Sequence, residues 1–462
     1  MSRPFPGGSN LLRRFQKTEA VYTIVKRMRY LLSSLIVGGL LYGGFIFIRE
    51  KNTLEITLAD IKNSASGAAV VPGQGPAIGG AGAPEATSTP PGAAPVVGRV
   101  KDIEPQGKLQ NPPEVVKALY ATSWSAGTEP RIAALIKLIK ETELNAIIID
   151  VKDFSGHVLY DIDNADVVKY GAKEVRIPRL NTLLKRLHDE GIYAIARITV
   201  FQDPVLAKAR PELAIHDKRT GGTWYDNKKL AWIDPAAKEA WDYNIAIAKD
   251  AGARGFDELN FDYIRFASDG DLSAMQFPVF QATSTLKRTT IKNFFAYLRE
   301  GLTDEVISAD LFGLTTVNPD DLGIGQTLED AYQYFDVVAP MTYPSHYASG
   351  FLGYKNPGAY PYEVMKYSVE NAVRRLLALE KTKPVRAKLR PWVQDFDLGA
   401  DYDAVKVRAE IQAISDAYEC PPVPASSTST PTCSKEERME KNGGWMIWSP
   451  SNVYTRGALL PE

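Results

Sequence analysis

Between Val115 and Tyr454 short apolar segments alternate with amphipathic ones, and this alternation limits the possible folds more than any other feature of the chain. The expected strands, in order, are Ala118–Ser123, Ala146–Val151, Tyr193–Thr199, Glu258–Tyr263, Val306–Leu311, Val337–Thr342, Lys388–Val393 and Trp445–Trp448. Expected helices lie between them at Arg131–Glu141, Pro178–Glu190, Ala236–Ala251, Thr289–Leu302, Tyr362–Leu379 and Tyr402–Tyr418. Eight strands separated by helices predict an α/β protein of the (β/α)8 TIM-barrel class. A doubly wound open sheet is the rival, but its usual Gly-rich turn is missing. The first strand runs instead into Trp124-Ser125-Ala126-Gly127, with no GxGxxG. There is no internal repeat.

The fourth expected strand has an unusual inner face. In Gly255–Phe266, GFDELNFDYIRF, the residues Glu258, Asn260 and Asp262 recur with period 2, opposite Leu259 and Phe261. Carboxylates and an amide on an inner face must find partners or stay wet, because burying them bare is costly. Such a comb fits a strand whose C-terminal end opens into an active-site cleft. The other strands deliver polar or aromatic residues to the same end: Asp150, Lys152 and Asp153; Arg197, then Gln202 and Asp203; Asp310; Met341, Tyr343 and His346; Arg390, Trp392, Gln394 and Asp395; Trp445 and Trp448. Arg265 follows the fourth. The long segment Phe201–Pro235 after the third strand would lie over this face as one wall of the cleft.

These groups suit carbohydrate chemistry, which needs two carboxyls across the scissile bond, polar groups for hydroxyls and aromatic platforms for sugar faces. The four histidines, His157, His188, His216 and His346, form neither an HExxH motif nor a close pair, which argues against metal hydrolysis. No GxSxG is present, which argues against a Ser-His-Asp hydrolase. Asp262 is expected as the catalytic carboxylate, held ionised by Arg265, with Asp310 as the second carboxyl. Glu258 lies deeper and is expected to pair with Arg197 or Lys152. Asp150, Lys152, Asp153, Arg197, Asp203, Glu258, Asn260, Arg265, Tyr343, His346, Gln394, Asp395 and Trp448 are the candidate substrate-binding residues.

The start of the chain is basic. Arg3, Arg13, Arg14, Lys17, Lys26, Arg27 and Arg29 face a single acid, Glu19, and Tyr30–Ile48 then runs without a charge. As a helix this run spans roughly 28 Å, close to the thickness of a hydrocarbon core. With the basic side retained in the cytoplasm, the remainder is exported. A cleaved signal peptide is the rival, but Arg49, Glu50 and Lys51 follow in place of a small-residue cleavage site. Asn63–Gly98 holds one charge, Glu85, and no aromatic residue, as expected of a flexible tether. The organisation expected is thus a basic cytoplasmic segment (1–29), a transmembrane anchor (30–48), a juxtamembrane segment and linker (49–110) and a barrel domain (111–462). Cys420 and Cys433, both on the exported side, are expected to form a disulfide around a Pro/Ser/Thr-rich loop. A net charge of −1 gives no sign of nucleic-acid binding, and no cofactor or metal is implied.

The motifs IIIDVKDFSG (147–156), ARITVFQDP (196–204), GFDELNFDYIRF (255–266), VVAPMTYPSHY (337–347), WVQDF (392–396) and GWMIWSPSN (444–452) resemble a family of uncharacterised bacterial glycoside hydrolase domains. That family is distantly similar to α-amylase-like barrels. The resemblance implies a (β/α)8 barrel with Asp262 as nucleophile or base. It also implies a Glu acid on the fifth strand, where this chain has Asp310. A looser likeness to chitinases rests on GFD at 255–257, Asn260, Asp262, MTY at 341–343 and Trp448. The chitinase pattern would need a Glu at the position of Ile264, so its mechanism is disfavoured. The expected protein is a membrane-anchored glycoside hydrolase acting on an extracytoplasmic polysaccharide. The alternatives are a non-catalytic polysaccharide-binding or scaffold protein on the same barrel, and a tethered partner of wall or division machinery.

Overall fold

The computed structural model describes residues 101–420 and 433–462. The expected basic segment, the expected membrane segment and the expected tether Asn63–Gly98 lie outside these residues. Among the described residues, no helix is long and apolar enough to cross a membrane.

Eight parallel segments build one curled sheet: β1 (Val116–Ala121), β2 (Ala146–Lys152), β3 (Tyr193–Thr199), β4 (Glu258–Asp262), β5 (Ile307–Phe312), β6 (Val337–Met341), β7 and β8 (Gly444–Trp448). β7 consists of two pieces, Lys388–Leu389 and Trp392–Gln394, because Pro391 has no N–H to give to a ladder. The first piece pairs with β6 and the second with β8, and β8 pairs with β1. The two ends of the sheet are therefore one chain segment, and the sheet curls back on itself in the manner of a (β/α)8 barrel. At the β1–β8 seam Gly444 adopts φ 95°, and a Cβ there would lie 1.8 Å from the Val116 carbonyl oxygen. Only glycine fits.

Helices cover the outside: α1 (Glu129–Lys140), α2 (Leu180–Asp189), α3 (Lys238–Ala253), α4 (Lys287–Gly301), α5 (Leu328–Tyr334), α6 (Pro361–Glu380) and α7 (Ala404–Ala417). Each turns an apolar stripe to the sheet; in α1 the stripe is Ile132, Leu135, Ile136 and Ile139. Thus the strands are buried on both faces, and apolar residues separate into two layers. The outer layer lies between sheet and helices. The inner one contains Ala118, Tyr120, Ile148, Ile195, Ala339, Trp392 and Met446.

α2 has no capping side chain of its own at Arg179. Asp102 supplies one, accepting from the Asn181 and Thr182 amides at 2.7 and 3.0 Å. Leu109 packs on the inner layer, and its amide donates to Asp257. The packed chain thus begins ahead of residue 111. The expected disulfide between Cys420 and Cys433 is present, with a Cα–Cα distance of 5.8 Å, bridging the connection from α7 to β8.

Candidate active site

Register explains what gathers at the C-terminal end of the sheet. Asp150 pairs with Arg197, Arg197 with Asn260, and Asn260 with Ser308, so these inward side chains lie side by side. Arg197 is their hub. Its Nη1 donates to Asp150 Oδ1 at 2.7 Å, its Nη2 donates to Asp262 Oδ2, and its Nε lies 3.6 Å from Asp310 Oδ2. Asp310 Oδ1 accepts from Trp392 Nε1 at 2.8 Å and from Asn260 Nδ2 at 3.1 Å. Tyr120 donates its hydroxyl to Asp150 at 2.5 Å and stacks on Trp448, with ring centres 3.8 Å apart and planes 17° apart. The Arg197 guanidinium lies 5.2 Å from the Trp448 ring.

One cation faces three carboxyls, and the electrostatics reflect that surplus. Burial, and then the charge of Asp262, push Asp310 up to about 7; Arg197, Trp392 and Asn260 pull against that shift. Burial also raises Asp150, with Arg197 and Tyr120 opposing. Burial works against the Arg197 charge, but Asp150 and Asp262 outweigh it and lift the pKa well above the usual range. Directly after Asp262, Tyr263 holds φ 54°, a left-handed conformation that is unusual for a bulky residue, and its amide donates to the Asp262 side chain at 2.5 Å.

Several expected residues stand elsewhere or have other partners. A register shift between Asp150 and Lys152 turns Lys152 to the outer side, where its ammonium pairs with Asp203 at 2.8 Å, both fully buried, and lies 5.9 Å from the Tyr243 ring of α3. Asp203 also caps the short helix Pro204–Ala209. Asp153 pairs with Arg176 at 2.6 Å. Glu258 pairs with neither Arg197 nor Lys152; Arg390 Nη1 reaches both its oxygens, at 2.8 and 3.0 Å. Arg265 does not bridge to Asp262. Its guanidinium packs among Phe312, Trp232 and Tyr263 and donates to Phe266 O and Ser268 Oγ, and Arg197 holds Asp262 in its place. Asp395 accepts from the Thr455 amide and hydroxyl. Gln394 accepts from Ser345 Oγ at 2.8 Å, beside His346, which burial pushes down to about 4. Tyr343 is buried near Asp310, between His346 and Phe396.

Tyr120 escaped the sequence reading. It lies two residues past inward-facing Ala118, and extending the alternation by one step would have found it. The segment after β3 is joined to the β4 loop through His216–Asp217 and Met275–Gln276, and its Trp232 ring lies 5.8 Å from that of Tyr263. A cavity of about 350 Å³ opens within this lobe, lined by Asp217, Arg219, Tyr225 and Asp271 among others; no member of the Arg197 cluster lines it.

A family model described as "Putative glycosyl hydrolase domain" matches residues 118–420. No curated protein sequence matches the chain. Among solved structures, a hypothetical protein from Ruminiclostridium thermocellum is 38% identical, covering 45% of this chain and 98% of its own, with a TM-score of 0.39. An α-galactosidase from Thermus thermophilus is 15% identical over 75% of this chain and 60% of its own, with a TM-score of 0.39. A glycoside hydrolase domain from Pseudomonas aeruginosa is 11% identical over 76% of this chain and 98% of its own, with a TM-score of 0.37.

Proposed function

The chain belongs to this glycosyl hydrolase domain family, and from that membership we propose that it hydrolyses glycosidic bonds of a cell-wall or exopolysaccharide by paired-carboxylate chemistry. The observation that carries the reading is the crowding of Asp150, Asp262 and Asp310 on the single guanidinium of Arg197, with Asp310 pushed up to about 7. Glycoside hydrolysis asks for one carboxyl that keeps its proton and one that has lost it. On this reading Asp310 gives its proton to the leaving glycosidic oxygen as the bond to the anomeric carbon breaks. Asp262 either attacks that carbon or takes a proton from the attacking water. A carboxyl separation of about 5–5.5 Å would make the course retaining, and about 6.5–9.5 Å inverting. The Tyr120–Trp448 stack offers an apolar face to a sugar ring beside Arg197. Tyr343, His346 and Gln394 would position hydroxyls.

The basic start and the uncharged run Tyr30–Ile48 support a single-pass membrane anchor with the barrel outside the cytoplasm. Deleting Tyr30–Ile48 should move the protein from the membrane fraction to the soluble one.

The deciding experiment incubates the purified protein and its Asp262→Asn variant with a panel of wall polysaccharides and exopolysaccharides, reading new reducing ends by mass spectrometry. Release by the parent and none by the variant supports a hydrolase. Binding by both with release by neither makes the protein a polysaccharide-binding or scaffold module.

A further inference from the structure

Two large aromatic side chains stand out into solvent from turns that are themselves firmly hydrogen-bonded. Trp124 is 60% exposed and Phe154 is 44% exposed. They lie on the turns that follow β1 and β2, neighbours in the sheet, just past Tyr120 and Asp150.

Trp124 sits in the short helix Ser123–Ala126, capped by the Thr122 hydroxyl, which accepts from the Ser125 amide at 3.2 Å. The Arg176 guanidinium lies over its indole at 4.8 Å and is tied to Asp153 at 2.6 Å and Glu174 at 2.9 Å. Phe154 belongs to a turn closed by the Gly156 amide donating to Asp153 O at 3.0 Å. Thr199 Oγ1 donates to Asp153 O at 2.6 Å, and Gln202 Nε2 donates to Phe154 O at 3.3 Å. Gly156, at φ 87°, packs so tightly that a Cβ would meet Asp203 Oδ1 at 2.1 Å. Asp153 joins the two supports. Its Oδ1 accepts from the Ser155 amide and shapes the turn that carries Phe154, and its Oδ2 holds the arginine behind Trp124.

An aromatic ring left in water contributes little to the core; what sets these two apart is that they stand on neighbouring, hydrogen-bonded turns at the cleft end of the sheet. A rigid, exposed, flat apolar surface suits a pyranose ring, which has a C–H face and keeps its hydroxyls in water. Fixing beforehand the turns that carry the rings removes part of the ordering cost of binding. The strands that lead to these turns also carry Tyr120 and Asp150 into the cleft, so a sugar chain seated there would continue across this rim.

We propose that Trp124 and Phe154 form an outer sugar-binding subsite, with Asp153 as the residue that positions both, so that the substrate is a glycan chain of several sugars and not a single-sugar glycoside. This rests on the polysaccharide reading of the cleft and adds the place where the chain beyond the cleft is held.

The test uses the full chain carrying Asp262→Asn as the parent, with Trp124→Ala, Phe154→Ala and Asp153→Asn added singly. Binding of dimers and hexamers of cello-, chito-, malto- and galacto-oligosaccharides is measured by calorimetry. In the parent, a hexamer binds more tightly than its dimer. Trp124→Ala and Phe154→Ala each lower hexamer affinity about tenfold and shrink the hexamer-to-dimer ratio. Trp124→Tyr restores that ratio and Trp124→Leu does not, which separates stacking from simple bulk. Asp153→Asn reproduces the loss with an unchanged far-ultraviolet circular dichroism spectrum and a changed near-ultraviolet one, as expected when the fold stands and the two rings lose their fixed positions. Tight hexamer binding that Trp124→Ala and Phe154→Ala leave untouched overturns the subsite and leaves the glycan reading standing. Failure of every oligosaccharide to bind the parent, with a silent polysaccharide panel, overturns both readings.

Discussion

The barrel interior holds two arginine–carboxylate groupings, one above the other, and both draw on the same face of β4. The lower joins Glu258 to Arg390. One guanidinium meets one carboxylate through two contacts, and the remaining arginine Nε donates to Gly443 O at 2.9 Å. The upper joins Arg197 to Asp150, Asp262 and Asp310. Residue types, burial and fold are shared, and charge balance is the difference. The lower matches one guanidinium to one carboxyl group. The upper one carries more carboxyl than cation, and Asp310, 1% exposed, is the carboxyl that rises to about 7. A buried ion pair by itself says little about function; a cluster whose carboxyls outnumber its cation is the better candidate for chemistry.

Replacing Asp310 tests the comparison most severely. On the proposed chemistry Asp310→Asn lowers glycan release about a thousandfold, the scale of a lost general acid. It also removes the fall in parent activity expected as pH rises through about 7. The stability signature has a definite sign. The folded pKa of Asp310 lies above its unfolded value, so the parent loses stability as pH rises towards about 7. The melting temperature of Asp310→Asn should therefore gain on the parent's between mildly acidic and neutral pH.

Arg390→Leu should act on stability alone. Stranding Glu258 costs about 3–5 kcal/mol by denaturant melts, and Glu258→Leu with Arg390→Met, which removes both charges, costs less. If Arg390→Leu lowers turnover without lowering stability, the lower pair is no mere structural unit. Arg197→Met removes the one cation from the upper cluster. Its destabilisation should grow with rising pH, because ionisation of Asp150 and Asp310 is then no longer matched by a cation, and urea melts at two pH values would show it. The smallest effect belongs to Trp392→Phe. It deletes a donor that favours the ionised form of Asp310, so the alkaline limb of the activity profile moves upward by about one pH unit or less.

Most of the framework was legible in the sequence. All eight expected strands overlap observed ones, because buried parallel strands are short, continuous apolar runs with clear edges. The seven-residue α5 and the short strands Val158–Tyr160 and Lys173–Ile177 were missed, being too brief to display a period. Errors at the site have the same root. Simple alternation assigns Lys152 to the cleft, but the bulge after Asp150 inserts a residue and reverses every side chain beyond it. Nearness in sequence assigns Arg265 to Asp262, but the left-handed turn at Tyr263 redirects the chain and sends Arg265 among aromatic rings. The choice of Arg390 for Glu258 is set across the barrel, over a separation no local pattern reports.

The β1–β8 seam also sets a time order. Arg197 and its carboxyls come from β2 to β5, in the first part of the packed chain, whereas the Tyr120–Trp448 stack needs the last strand to reach back to the first. During synthesis the acidic cluster is made early and the aromatic floor beside it late, since contacts between distant parts of a chain form only once both have been made. A chain made only as far as β5 therefore carries the carboxyls of the proposed site without Trp392 and Trp448 beside them, and the site is complete only once β8 has paired with β1.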